Sequence, residues 1–322
     1  MPVFRVASSW LAMGLALGGL SLALSQPLDG ESLDKDEIRR HLTRHLHYLA
    51  VDLGERCIFR PENLKAAENY VARELESLGF PVRRQPFICQ RVEVANVIAG
   101  NPDPRGYYLL GAHFDTVAGT PGADDNASGV AVLLEVARLT QRTATPSPWA
   151  FVGFTTEEPP VYFTPYMGSR VYAKAARQKR ENLLGMLCLE SVGYFVTEPN
   201  SQQIPLALRF LGYSTTGDYL GLVANWPSRP LLQKLERAFL AATSLAVATL
   251  AVPLGGSLLP ETRLSDHANF WDEGYPAVML TDTAFLRNPN YHTPWDTMDT
   301  LNLDAMVELT VGLTHFVKTA GK

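Results

Sequence analysis

His113 and Asp115 stand two residues apart just after the apolar run Tyr107 to Leu110, and Asp125 follows His113 by twelve residues. Residues i and i+2 of a strand share a face, so an imidazole and a carboxylate would leave the end of that strand together. Glu157 and Glu158 come right after a second apolar run, Trp149 to Thr155. Glu190 ends a third, Leu183 to Leu189, and His292 lies in the polar loop 288–299. Adjacent carboxylates at the end of a buried strand repel each other unless a cation sits between them. Two imidazoles with several carboxylates suit zinc or a similar borderline divalent ion; calcium and magnesium prefer all-oxygen shells. One catalytic zinc keeps about three protein ligands and an open position. Five candidate ligands are too many for one such ion, and two ions sharing a carboxylate fit the number.

The elements that must position these groups can be read from hydrophobic periodicity. Strands are expected at 82–91, 95–100, 107–110, 149–155, 183–189, 218–224 and 277–281. Between them, helical spacing is found from Leu64 to Leu78, closed by Gly79 as a left-handed cap, from Ser128 through Val132, Val136 and Leu139, and over 168–180 and 229–245. Asn302 caps a last helix whose Met306, Leu309, Leu313 and Phe316 face the core. The alternation predicts one domain of three layers, α/β/α, around a central mixed, mostly parallel sheet. In such sheets, sites form outside the carboxyl ends of the strands, where most of the candidate ligands fall. Asp36 to Ala50 is a further helix; its His41, His45 and His47 lack a nearby carboxylate partner and read as a polar helix face. The stretch 197–262 is less regular, with Gly255-Gly256-Ser257 as a mobile loop, and is expected to shape a substrate pocket.

With 322 residues, 46% hydrophobic and 19% charged, the chain has an ordinary globular composition. A net charge of −5, a pI of 5.8 and the lack of a basic stripe argue against a nucleic-acid partner. At the N-terminus, Arg5 precedes an uncharged run from Val6 to Leu28 that ends in a small-residue pattern around Ala23-Leu24-Ser25. This predicts a signal peptide over 1–25, a mature domain over 26–322 and a secreted or periplasmic protein. An uncleaved signal anchor, and with it a membrane association, is the alternative. Cys57 and Cys89 either close a loop worth roughly 3–4 kcal/mol or stay as two buried thiols. Cys188 reads as a small core residue.

Six ordered segments make the chain resemble the M28 family of zinc peptidases, the group of secreted bacterial leucyl aminopeptidases, with glutaminyl cyclases as close relatives. They are Gly111-Ala112-His113-Phe114-Asp115, Gly122 to Gly129, Thr156-Glu157-Glu158 with Gly168-Ser169, Leu189 to Tyr194, Ser265-Asp266-His267, and Tyr291-His292-Thr293 with Asp296-Thr297. The resemblance spans roughly residues 36 to 320 and implies a zinc-exopeptidase, phosphorylase/hydrolase-like fold. It further implies two zinc ions per chain, with Asp125 bridging, His113 and Glu190 completing one site and Glu158 and His292 the other. Glu157 would be the general base, Asp115 the group that orients His113, and Asp266 an acidic residue close to Glu157. A cis peptide would follow Asp125, and His267 would be structural. Two features set the chain apart from the aminopeptidases: Glu190 stands where they usually carry aspartate, and Pro159-Pro160 follows the glutamate pair.

The implied activity is an aminopeptidase acting on peptides with a free N-terminus. Tyr194 or Tyr213 is a candidate for supporting the oxyanion, and Trp295 and Phe285 for lining the pocket. The alternatives are a one-zinc glutaminyl cyclase and a non-catalytic binding protein on the same fold. Sequence sets no oligomeric state.

Overall fold

Strands β3 (Tyr107–His113) and β4 (Trp149–Phe154) are buried along their whole length, which is why they read as unbroken apolar runs and not as alternating ones. They form the middle of an eight-stranded sheet in a computed structural model that describes residues 33–101, 103–141 and 148–320. The N-terminal segment read as a signal lies outside the described residues. No helix among the described residues is long and apolar enough to cross a membrane.

The remaining strands are β1 (Val82–Cys89), β2 (Val92–Ala99), β5 (Leu183–Glu190), β6 (Tyr219–Asn225), β7 (Ala246–Val252) and β8 (Ala277–Thr281), in the spatial order β1-β2-β4-β3-β5-β8-β6-β7. β4, β3, β5 and β8 run parallel, as do β6 and β7. The β1–β2, β2–β4 and β6–β8 pairings are antiparallel. The expected mixed, mostly parallel sheet is therefore present, and its parallel centre delivers β3, β4 and β5 to one common end.

One face carries α1 (Lys35–Leu46), α2 (Pro61–Ser77), α3 (Gly129–Gln141), α5 (Arg229–Ala242) and α7 (Leu303–Thr319) around the larger core. The other carries α4 (Gly168–Gln178) and α6 (His267–Asp272), which pack over β2, β5 and β8. α2 stops as expected: Gly79, at φ +83°, takes the left-handed turn that a side chain would resist. Asn302 accepts from the Ala305 amide at 3.0 Å and starts α7.

Three expectations are corrected. The helix read over 229–245 ends at Ala242, and a strand not expected from sequence, β7, follows four residues later. Thr243 is already extended (φ −144°, ψ 157°), and the small residues of Ala-Val-Ala-Thr-Leu-Ala-Val give a weak period that serves helix or strand equally. His45 is buried and not on a polar face; its Nδ1 meets the Tyr70 hydroxyl at 2.7 Å. Cys57, Cys89 and Cys188 are all free and buried, so the loop-closing pair does not form.

Candidate metal centre

β3 ends on His113 and β5 on Glu190, and the register that sets Ala112 beside Leu189 brings both side chains out at the same end of the sheet. His113 Nε2 lies 3.2 Å from Asp125 Oδ1 and 3.3 Å from Glu190 Oε2. His292 Nε2 lies 3.0 Å from Asp125 Oδ2 and 3.3 Å from Glu158 Oε2. Asp125 thus turns one oxygen to each imidazole. The groups His113–Asp125–Glu190 and Asp125–Glu158–His292 each bring their ligand atoms within 4.8 Å of one another, and His113–Glu157–Glu158 forms a third overlapping set.

Several devices hold this arrangement. Asp125 sits in the turn Ala123–Ser128 and is followed by a cis peptide to Asn126. Asn126 donates from Nδ2 to the Leu189 carbonyl at 2.8 Å and accepts from the Ser191 amide at 3.2 Å, tying that turn to the end of β5. Gly122 has φ +59°, and a Cβ there would lie 2.3 Å from Thr116 Cγ2 and 2.5 Å from the Asp125 carbonyl, so only glycine fits. Asp296 accepts from the amides of Asp124 (2.8 Å) and Asp125 (3.1 Å). Thr156 (φ +55°), Ser191 (+47°) and His292 (+57°) take left-handed backbone without being glycine. Such strain is concentrated where surrounding structure fixes a side chain for use.

Asp115 faces both His113 and the glutamate pair. The His113 Nδ1–H donates to the main-chain carbonyl of Asp115 at 3.2 Å, with the nearer carboxylate oxygen at 3.6 Å. The carboxylate itself accepts from the amides of Glu157 and Glu158, at 3.0 Å each. Asp115 therefore supports His113 with both its backbone and its carboxylate, and the glutamate pair with its side chain. With Nδ1 donating, the His113 Nε2 lone pair faces the carboxylates.

The electrostatics mark a place for a cation. Burial drives Glu157 well above the usual carboxylate range, reinforced by Glu190, Glu158 and Asp266. Burial and the Asp125 charge push Glu158 up to about 8, and Asp266 rises to about 7 chiefly through burial. His292 is held up at about 10 because Asp125 and Glu158 outweigh its desolvation. His113 Nε2, Asp125 Oδ1 and Glu158 Oε1 are buried without a hydrogen-bond partner. Each such atom costs about 1–3 kcal/mol if left unsatisfied. Two imidazoles and three carboxylates with their free atoms converging are a donor set that fits zinc.

Sequence reading missed two residues of consequence. Arg56 is fully buried and donates to the carbonyls of Phe114, Leu49, Gly54, Pro121 and Gly122 at 2.7–3.0 Å, fixing the path from β3 to Asp125. Burial lowers its guanidinium to about 10, still charged at neutral pH. No local pattern around Arg56 announces this. Tyr162 is the second: its hydroxyl is buried without a partner, and the charges acting on it are Glu157 and Glu190, then Arg263 in opposition, then Asp266. Of the two tyrosines favoured from sequence, Tyr213 lines the space that also contains Glu190, and Tyr194 does not. The Tyr213 hydroxyl donates to the Thr249 carbonyl on β7 at 2.9 Å, and the charges nearest Tyr194 are Glu198, Asp282 and Asp124. Tyr291, next to His292, stacks on that imidazole at 3.8 Å. His267 is buried with Nε2 on the Thr262 carbonyl at 2.8 Å, away from the ligand groups.

Beside the cluster a trough of about 120 Å³ opens on Glu190. The α4–α6 layer ends at β8, and the same face of β6 and β7 becomes the floor: Tyr219, Gly221, Val223, Ala248 and Leu250. The alternate residues Leu220, Leu222 and Ala224 point to the opposite core, as period two requires. Phe285 lines the trough as expected, while Trp295 is 73% exposed and does not.

Residues 94–317 match the profile of peptidase family M28. The uncharacterized protein YfbL of Escherichia coli is 33% identical over 281 residues, 84% of this chain and 85% of that one. A "Probable zinc metalloprotease" of Leptosphaeria maculans is 25% identical over 236 residues, 67% of this chain; the chain spans only 50% of that protein's length. Among solved structures, the zinc aminopeptidase BSAP from Bacillus subtilis aligns with a TM-score of 0.67 at 15% identity, over 88% of this chain and 95% of that one. A glutaminyl cyclase from Porphyromonas gingivalis aligns with a TM-score of 0.63 at 18% identity, over 89% and 98%. At these identities the two structures establish the shared fold.

Proposed function

The chain belongs to peptidase family M28, and from that premise we propose that it is a zinc-dependent aminopeptidase taking two ions per chain. The observation that carries the reading is Asp125, whose two oxygens face His113 and His292 separately (3.2 and 3.0 Å) while Glu190 and Glu158 close the two sides. In this reading His113, Asp125 and Glu190 hold one ion and Asp125, Glu158 and His292 the other. Ions held there would supply the positive charge that polarises an amide carbonyl and makes water acidic enough to attack it at neutral pH.

The rest falls to the chain's own groups. Glu157 has a raised proton affinity and no ligand partner of its own outside the overlapping set, so it takes a proton from the attacking water and returns it to the leaving amine. Asp115, by holding the Glu157 and Glu158 amides, keeps base and ligand in register. Asp266, buried beside Glu157, raises that proton affinity further. The trough next to Glu190 receives the side chain of the N-terminal residue. Its open mouth and its floor of Gly221, Val223, Ala248 and Leu250 suit leucyl or phenylalanyl groups. The Arg5 to Leu28 pattern supports a site of action outside the cytoplasm, on peptides with a free N-terminus.

The test is an assay of the purified protein on aminoacyl and N-terminal glutamine substrates, with zinc counted per chain. Hydrolysis of leucyl or phenylalanyl amides, lost with chelator and restored by zinc at two ions per chain, is the expected result. Cyclisation of glutamine with one tightly held zinc would replace the reading by that of a glutaminyl cyclase.

A further inference from the structure

The sheet has two edges, and they are built to opposite rules. β1 carries Arg83, Arg84 and Pro86 within Val-Arg-Arg-Gln-Pro-Phe-Ile-Cys, charges and a proline that keep another strand from adding to it. β7, at the far edge, reads Ala-Val-Ala-Thr-Leu-Ala-Val, with no charge, proline or glycine, in unbroken parallel register with β6 from Ala246 to Val252. Among the described residues, the only side chain that reaches its backbone is Tyr213, through the Thr249 carbonyl. A carbonyl keeps a second lone pair, so that bond does not block pairing. The edge is also flanked by exposed apolar groups. Leu240, 70% exposed, lies on α5, which packs against β7; Phe210 (94%) and Leu211 (54%) stand just before Tyr213.

We propose that β7 is a dimer interface, pairing antiparallel with β7 of a second copy of this chain about a two-fold axis at Thr249. A second copy fits better than an unrelated partner for two reasons. The strand is centred on Thr249, so a two-fold there sets small residues opposite apolar ones: Ala246 with Val252, Val247 with Ala251 and Ala248 with Leu250 of the partner subunit. The guarded β1 edges would then be the outer ends of the joined sheet, so assembly stops at two. Directly opposed residues share a face, so Leu250 of the partner subunit abuts Ala248 and extends the trough floor, which ends at β7 in one copy. The inference rests on the sheet edges and is independent of the metal centre.

The pairing is tested on the full chain by mass and by cross-linking. The wild-type protein should run at twice 35.5 kDa in sedimentation or light scattering at micromolar concentration. Across an antiparallel pair the two Thr249 Cα atoms would lie about 4.5–5.5 Å apart, within disulfide range. Thr249→Cys should therefore cross-link to itself under mild oxidation. Ala246→Cys should not, because the two copies of that position would be about 20 Å apart. The three native thiols are buried and give little background. Thr249→Arg, which sets two cations face to face, should yield the monomer. A monomeric wild type, equal cross-linking of both cysteine variants, or a dimer untouched by Thr249→Arg overturns the proposal. So does a monomer that instead adds an extended peptide along β7. If Thr249→Arg fails to fold, the wild-type mass and the cysteine pair still decide.

Discussion

The strand-end cluster and the trough beside it share one wall at Glu190 and are otherwise opposites. The cluster is assembled from charged residues that no core would bury unless they were held against a cation, each placed by a specific hydrogen bond. The trough has a mostly apolar floor, and it exists because a helix layer stops at β8 and leaves one face of β6 and β7 uncovered. On the proposed function, chemistry is fixed by a few exact contacts, and selectivity by a shape that many sequences could make. Substitutions in the first should change turnover without regard to substrate; substitutions in the second should change preference and leave the metal alone.

The largest effect is expected at Glu157. Glu157→Gln keeps the size of the side chain and the amides that Asp115 holds, but cannot accept a proton. General-base catalysis typically contributes about 10²–10⁴-fold, so kcat should fall by that range with KM and zinc content little changed. Single-substrate kinetics with metal analysis would check it. A variant with near wild-type turnover would remove Glu157 from the reaction and blur the division between the regions.

A smaller effect, confined to selectivity, is expected at Gly221 in the middle of the trough floor. A Cβ there would lie 3.2 Å from the Thr281 carbonyl, so the paired strand β8 must give by a few tenths of an ångström. Gly221→Val would fill the space that a leucyl or phenylalanyl group needs. Small changes of apolar volume in a pocket are worth about 10–200-fold, so kcat/KM on those substrates should drop by that order while alanyl substrates and bound zinc are spared. An equal loss on every substrate would show that the trough does not select.

The contrast also explains what was legible in the sequence. His113, Asp125, Glu157, Glu158, Glu190 and His292 stand out because a carboxylate or imidazole at the end of an apolar run is costly without a use, and cost leaves a local signal. Strands β3, β4 and β5 were readable because burial on both faces forces continuous apolar residues. β7 was missed because its small residues fit helix or strand; the stretch 197–262 was legible as the one that shapes a pocket, but the trough's floor was not, since it needs β6 and β7 to be neighbours. Arg56 was invisible for a related reason: all its partners are backbone carbonyls, which any sequence provides. The role of Asp115 was half legible; its residue type marked it, but which amides it would hold depends on the turn after β4.

The mildest test leaves both regions intact and asks whether a group outside both makes the fold acid-labile. His45 is far from the cluster in the α1–α2 core, where burial, with Arg44, His41 and Arg138, depresses its imidazole from 6.5 to about 3. The folded value lies below the unfolded one, so the neutral form is favoured by folding. Its contribution is fully present above about pH 6.5 and is lost as pH falls toward the folded value. Between pH 7 and pH 5 this one group should cost about 2 kcal/mol of stability. Urea midpoints at the two pH values would measure it, with zinc removed so that metal loss on acidification does not intrude. His45→Gln starts less stable, because the Tyr70 contact is disturbed, yet should lose about 2 kcal/mol less on acidification. If wild type and variant lose the same amount, His45 is not the source of acid sensitivity; the metal-free centre is not its source either, because Glu157, Glu158 and Asp266 bind protons more tightly folded than unfolded and so favour the fold as pH falls.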